Sequence, residues 1–147
     1  MENDQKRTLV LLVEDDPGDQ KLMKTAIMSQ GHELELMVTL NGESAMDYLQ
    51  MCEQEPEKYQ KPCLILLDLN MPGMGGKEFL RRIKKNDVLS AIPVVVVTTS
   101  DSEADIKECY ELQAAGYIQK AAVPAEFNDV LRKLVRYWFL TSAVLRV

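Results

Sequence analysis

The chain has 147 residues, 23 of them acidic and 17 basic, with a formal net charge of −6. This length suits one domain with a real hydrophobic core and leaves no room for a second independent domain. The acidic balance argues against nucleic acid as a partner, because contacts to the phosphate backbone need clustered Lys and Arg.

The first half of the chain predicts two strand–helix units. Residues 9–13 are an apolar run typical of a strand buried on both faces. Asp16 as N-cap and Pro17 at the first helical position predict a helix that begins directly afterwards and ends near Gly31. The predicted buried face of this helix holds Leu22, Met23, Ile27 and Met28. A weaker strand over residues 34–40 and a helix over about 43–52 follow, and the inward residues of that helix are Ala45, Met46 and Leu49.

The second half continues the alternation after a polar loop over residues 53–62. Its predicted elements are strands over 64–67, 94–97 and 117–119, a helix over 77–85, a helix that opens with the capping-box pattern Ser100 to Glu103, and a helix from near Pro124. Five strand–helix units in strict alternation predict an α/β fold, a doubly wound parallel sheet covered by helices on both faces. We expect one domain over residues 1–147, with a core over about 8–139 and a helical extension over 140–147.

The sequence shows neither a membrane helix nor a signal peptide. No apolar run approaches the roughly 18 residues of a membrane helix, and the polar N-terminus lacks the apolar stretch of a signal peptide. We therefore expect a cytoplasmic protein that does not enter a membrane.

Cys52, Cys63 and Cys109 form no C-x-x-C pair, which predicts free thiols rather than a disulfide framework or a zinc site.

Charged and hydroxyl side chains stand at the carboxyl ends of the predicted strands. Glu14 and Asp15 follow the first strand, Asp68 the third, Thr98 the fourth and Lys120 the fifth. In open α/β sheets, ligands bind outside these strand ends, where the strand order reverses. If the first and third strands are neighbours, three carboxylates meet there, and a cation must offset their repulsion. Hard oxygen ligands favour Mg²⁺.

Helix capping is the competing interpretation of acidic residues that follow strands. It suits Asp16, which stands directly before a predicted helix. It does not suit Asp68, because residues 69–76 intervene before the next helix, and we therefore favour a functional site.

These residues resemble the active-site set of response-regulator receiver domains. The matching segments are Val13-Glu14-Asp15, residues 67–72 with Asp68 and Asn70, Val97-Thr98, and residues 117–120 with Tyr117 and Lys120. Within this family, the chain resembles stand-alone regulators paired with phytochrome-type histidine kinases. Three segments carry this narrower resemblance: the loop over 53–62, the Thr98-Thr99-Ser100 stretch and Trp138-Phe139.

The resemblance implies a flavodoxin-like sheet of order 2-1-3-4-5 and a phosphoryl acceptor rather than an enzyme in the ordinary sense. Asp68 would be the nucleophile toward a histidine kinase's phosphohistidine, assisted by Lys120 and Thr98. Asp15, Asp68 and the Asn70 carbonyl would hold Mg²⁺, with Glu14 acting through water. The roles implied for the remaining positions are a switch for Thr98 and Tyr117, and control of site access for Thr99 and Ser100. Output would pass by protein contact to a target that the sequence does not identify.

Three positions depart from the commonest family pattern. Glu14 stands for Asp, Gly75 for Asp, and Ala121 for the Pro that usually follows the lysine and places a cis peptide there. The last change leaves the reach of Lys120 open.

Two alternative functions compete with the receiver interpretation. A phosphatase of the haloacid dehalogenase type needs a general acid two residues after its nucleophile, and Asn70 occupies that position. A pseudo-receiver that acts without phosphorylation does not need three carboxylates in one place, and their mutual repulsion is unfavourable. The intact acidic set therefore argues against this alternative.

The C-terminal region favours a homodimer, and a tail folded back on its own domain is the alternative interpretation. Apolar residues repeat at helical spacing at Val130, Leu131, Leu134, Val135, Trp138 and Phe139. Further apolar residues lie beyond this stripe at Tyr137, Leu140, Val144, Leu145 and Val147, and a monomer would leave many of them in water.

Overall fold

Five parallel strands form one sheet in the computed structural model, which describes residues 8–29 and 34–141. The strands are β1 (Thr8–Val13), β2 (Leu34–Thr39), β3 (Leu64–Leu67), β4 (Val94–Thr98) and β5 (Gly116–Gln119). Their order is β2-β1-β3-β4-β5, which confirms the predicted doubly wound sheet. The register pairs Val13 with Leu67, so the residues that follow β1 and β3 emerge side by side.

The helices alternate with the strands. They are α1 (Pro17–Met28), α2 (Gly42–Gln54), α3 (Gly76–Lys85), α4 (Glu103–Glu111) and α5 (Pro124–Val135), and a π-helical segment (Arg136–Thr141) continues α5. Among the described residues, no helix is long and apolar enough to cross a bilayer.

Two apolar cores lie on opposite faces of the sheet. One packs α2, α3 and α4 against the sheet, with Leu49, Phe79 and Cys109 in its interior. The other packs α1 and α5 on the opposite face, with Ile27 and Phe127 buried. Every residue of β3 and β4 is buried, because both faces of these central strands are covered. This burial explains why the two strands appear in the sequence as unbroken apolar runs.

The helix starts agree with the sequence at α1 and differ at α4. Asp16 caps α1 by accepting a hydrogen bond from the Asp19 amide at 2.8 Å. The cap of α4 is Ser102 rather than Ser100, and its hydroxyl accepts from the Asp105 amide at 3.3 Å. Two serines at alternate positions both satisfy the capping pattern, so spacing alone does not choose between them.

Smaller corrections concern burial and element ends. Met28, predicted to face inward, is 38% exposed, because it lies in the last turn of α1. The helix α2 runs to Gln54, which shortens the predicted polar loop. Gly31 lies outside the described residues, and α1 ends at Met28. The three cysteines are buried and are not joined by disulfides, as predicted.

Candidate phosphoacceptor site

Three carboxylates converge at the carboxyl edge of the sheet. One oxygen from each of Glu14, Asp15 and Asp68 lies within 4.8 Å of the others. Glu14 is fully buried, Asp68 is 6% exposed and Asp15 is half-buried. The Asp68 amide donates to the Val13 carbonyl at 3.0 Å, which continues the β1–β3 ladder by one residue. The pairing of β1 with β3 therefore creates the acidic crevice.

Lys120 enters this crevice from the end of β5. Its Nζ lies 2.7 Å from Glu14 Oε1 and 3.6 Å from Asp68 Oδ2. Its backbone amide donates to the Thr98 carbonyl at 2.6 Å, which ties the start of the following loop to β4. The described residues contain no cis peptide bond, so the lysine reaches the carboxylates without the geometry that a following proline would impose.

Burial governs the electrostatics of the Glu14–Lys120 pair. Burial and, to a smaller extent, the nearby Asp68 charge together raise the pKa of Glu14 to about 7, although the hydrogen bond from Lys120 acts to lower it. Burial works to lower the pKa of Lys120, but hydrogen bonds to Asp19 and Glu14 outweigh it and the pKa is raised. Burial therefore disfavours the charged form of Glu14, and the charged form of Lys120 is stabilised by its two acidic partners.

The donor set fits a divalent cation of the hard type. Carboxylate oxygens are the ligands that Mg²⁺ and similar cations prefer, and those of Asp15 and Asp68 lie close enough to share one ion. Both oxygens of Glu14 already have partners, Oε1 with Lys120 and Oε2 with the Asp16 amide at 3.2 Å. Glu14 therefore has fewer lone pairs left for an ion than Asp15 has, although its carboxylate also lies within the cluster.

The loop between β3 and α3 shapes the floor of the site. The Asn70 amide points to Asp68 Oδ1 at a long 3.5 Å, and its side-chain Nδ2 lies 3.5 Å from Thr98 Oγ1. Gly76, at the start of α3, packs so closely that an added Cβ would lie 2.7 Å from Leu69 Cα and closer still to the Asp68 carbonyl. The loop backbone beneath Asp68 is therefore held by close contact with α3.

The loop after β4 links the predicted switch residues. Thr98 is fully buried, and Thr99 beside it is exposed. The half-buried Tyr117 donates from its hydroxyl to the Ser100 carbonyl at 2.9 Å, and the Ser100 hydroxyl donates to Asp105 at 2.6 Å. Asp105 also pairs with Lys77 of α3 at 2.5 Å. A continuous polar chain therefore joins Tyr117, through this loop, to both α4 and α3.

The structure brings together most of the residues that the sequence singled out and adds two. One crevice is surrounded by six of these residues: Glu14, Asp15, Asp68, Asn70, Thr98 and Lys120. The loop after β4, which leaves the crevice, lies beside Tyr117 and contains Thr99 and Ser100. Sequence reasoning missed Asp19, which pairs with Lys120, and Gly76, which packs on Asp68. Asp19 lies in the first turn of α1, and no local pattern in the sequence shows that this turn lies beside the end of β5.

Comparisons with known proteins agree with this arrangement. The sequence pattern described as the response regulator receiver domain matches residues 10–132. The response regulator Rcp1 of Synechocystis sp. is 37% identical over 133 residues, which cover 90% of this chain and 90% of Rcp1.

Two solved structures have nearly the same fold. The phosphorylated cyanobacterial phytochrome response regulator RcpA superposes with a TM-score of 0.88 at 35% identity, covering 94% of this chain and 98% of RcpA. A Mn²⁺-bound form of Rcp1 superposes with a TM-score of 0.87 at 35% identity, covering 94% of this chain and 99% of Rcp1.

Proposed function

The chain belongs to the response regulator receiver domain family, and from that premise we propose that Asp68 accepts a phosphoryl group from a partner histidine kinase. The observation that carries the proposal is the convergence of Glu14, Asp15 and Asp68 within 4.8 Å, with Lys120 3.6 Å from Asp68. A carboxylate nucleophile beside a fixed cation is the arrangement that acyl phosphate formation needs.

The positions of the side chains support the following transfer step. An oxygen of Asp68 attacks phosphorus in line with the bond to the kinase histidine, and the electron pair of the breaking P–N bond stays on the imidazole nitrogen. Lys120 donates hydrogen bonds to the phosphoryl oxygens, and the Thr98 hydroxyl donates to the same group once it is attached. A bound divalent cation supplies neutralisation of the phosphoryl charge.

We propose Mg²⁺ as this cation, held by Asp15, Asp68 and the Asn70 carbonyl, with Glu14 acting through water. The site is all oxygen and partly open to solvent, which suits an ion that keeps several of its own waters. The Mn²⁺-bound Rcp1 structure supports a divalent ion in a similar protein. Asn70 carries an amide where a phosphatase would need a carboxylic acid, so we assign an acceptor role.

The proposed output is a change of surface around α4 and β5. Thr98 moves toward the phosphoryl group, and the Tyr117 ring, tied to Ser100, repacks with the same loop. The signal is then a shift between two populations and passes to a protein partner. Similarity to RcpA, a phytochrome response regulator, supports a phytochrome-type kinase as the donor.

Acceptance of a phosphoryl group from a small donor tests the acceptor proposal. The chain is incubated with acetyl phosphate and Mg²⁺, and intact mass spectrometry measures the product. We expect the addition of one phosphoryl group when Mg²⁺ is present. We expect no addition when EDTA has removed the cation before acetyl phosphate is added. A chain whose mass is unchanged with Mg²⁺ present contradicts the proposal.

Thr99 gives a prediction about access to the site. This side chain is exposed beside Thr98 and is bulkier than the Ala or Gly common at this position in the family. We expect Thr99→Ala to raise the rate of phosphorylation by acetyl phosphate by about twofold to fivefold, a modest steric effect of under about 1 kcal/mol. An unchanged rate in a folded variant shows that this side chain does not limit access.

We further propose a homodimer through the C-terminal region. Tyr137 is 55% exposed and forms an edge-to-face pair with the half-buried Trp138 at 5.4 Å, and Phe139 also packs partly against the core. The structure does not describe residues 142–147, nor the side chain of Leu140. We expect sedimentation to give a dimer mass for the full chain and a monomer mass for a chain that ends at Phe139. A full chain that stays monomeric at high micromolar concentration, with and without beryllofluoride, rules this out.

A further inference from the structure

Asp19, in the first turn of α1, contacts the site lysine although no step of the proposed transfer uses it. Its Oδ2 lies 2.7 Å from Lys120 Nζ, and Glu14 Oε1 lies at the same distance from that nitrogen. Asp68 Oδ2 is farther away, at 3.6 Å. The Lys120 ammonium group therefore lies closer to Glu14 and Asp19 than to Asp68, the proposed acceptor.

The two close partners of Lys120 differ in burial. The Glu14 side chain is 1% exposed and that of Lys120 is 7% exposed, whereas Asp19 is 31% exposed. Separation of the buried Glu14–Lys120 pair would leave two charges unpaired in the interior, which is strongly unfavourable. Separation from Asp19 costs far less, because water can replace that contact. Asp19 is therefore the partner that the lysine exchanges most readily.

The backbone holds both members of the Asp19–Lys120 pair. The Asp19 amide donates to the capping Asp16 carboxylate at 2.8 Å, and Pro17 stiffens the same turn. The Lys120 amide donates to the Thr98 carbonyl at 2.6 Å. The pair thus spans two anchored segments, and it orients a lysine that Ala121 follows in place of the usual proline.

We propose that Asp19 is a positioning residue that restrains Lys120 on the α1 side of the crevice and releases it to a phosphoryl group on Asp68. The inference rests on the proposed acceptor role of Asp68. An ammonium group has three N–H donors, and Glu14 and Asp19 accept two of them. When a phosphoryl oxygen replaces Asp19 as an acceptor, Lys120 keeps its contact with Glu14 and closes on the new group. Asp19 therefore slows phosphorylation through its hold on the lysine.

A mutant cycle tests the restraint. Phosphorylation rates with acetyl phosphate and Mg²⁺ are measured for the unsubstituted chain, Asp19→Asn, Lys120→Met and the double variant. We expect Asp19→Asn to raise the rate about threefold to fivefold, the size of one partly exposed ion pair, and to have no effect when Lys120 is Met. Asp16→Asn is the matched control: asparagine caps a helix as well as aspartate, and the variant loses one charge in the same turn without touching Lys120.

Hydrogen exchange of the Lys120 ammonium protons, followed by nitrogen-15 NMR, gives a second measurement that does not depend on phosphorylation. The signal is assigned by its loss in Lys120→Met. We expect exchange to quicken in Asp19→Asn and to stay unchanged in Asp16→Asn, because of these two residues Asp19 alone accepts a hydrogen bond from the ammonium group.

Four results overturn the inference: an unchanged or lower rate in Asp19→Asn, equal effects of Asp19→Asn and Asp16→Asn, an Asp19→Asn effect that persists without the lysine, or unaltered ammonium exchange. Failure of the unsubstituted chain to accept any phosphoryl group is a separate result. That result overturns both the acceptor role of Asp68 and the inference. If the unsubstituted chain is phosphorylated and Asp19→Asn does not change the rate, only the inference is overturned.

Discussion

Asp68→Asn is expected to abolish phosphoryl incorporation, lowering its rate by about a thousandfold or more, the scale set by loss of a nucleophile. The amide keeps the shape of the carboxylate but lacks the oxygen charge that attacks phosphorus. The same substitution removes one of three crowded negative charges, and the Asp68 charge itself raises the pKa of Glu14. We therefore expect the free energy of unfolding in EDTA to stay equal or to rise. Intact mass spectrometry and urea titration measure the two effects.

The matched control for this variant is Asp47→Asn. Asp47 is exposed on α2 and lies outside the crevice, so its replacement should leave the phosphorylation rate as it is. Incorporation at an undiminished rate in Asp68→Asn would show that the acceptor is another residue. A large fall in stability would show instead that Asp68 serves mainly to hold the fold together.

Gly76→Ala is expected to damage both the fold and the site. The added Cβ would lie 2.7 Å from Leu69 Cα and still closer to the Asp68 carbonyl, and these are backbone atoms that cannot rotate away. We expect the free energy of unfolding to fall by about 2 to 3 kcal/mol, as for other overpacked interiors. Phosphorylation of the folded fraction should also slow, because relief of the clash moves the backbone that carries Asp68.

Gly75→Ala provides the control one residue earlier. A Cβ at Gly75 would meet only the Leu69 carbonyl oxygen, at an ordinary 3.5 Å, and the residue caps α3 with a negative φ of −71°. We expect a loss of stability below about 1 kcal/mol, the size of a changed helix cap. Equal losses in the two alanine variants, measured by urea unfolding, would refute the close-packing argument.

Much of the fold was predictable because local patterns and global arrangement agree. The apolar runs that became β1, β3 and β4 are buried on both faces, and that burial is why they are recognisable without a partner strand. Asp16 and Pro17 specify the start of α1 through chemistry confined to one turn. The strand order followed only from the family resemblance, since nothing in residues 9–13 or 64–67 states which strands are neighbours.

The sequence by itself determined the alternating α/β architecture, the covered central strands and the set of residues at the strand ends. These depend on hydrophobic period, capping and turn chemistry, which act over a few neighbouring residues. Tertiary structure alone decided that Lys120 pairs with Asp19 and Glu14 at 2.7 Å and stands 3.6 Å from Asp68. It also decided that Gly76 packs on the Asp68 carbonyl and that Ser102 rather than Ser100 caps α4. Such choices depend on distances between segments up to 106 residues apart, and only the packing of helices on a completed sheet sets those distances.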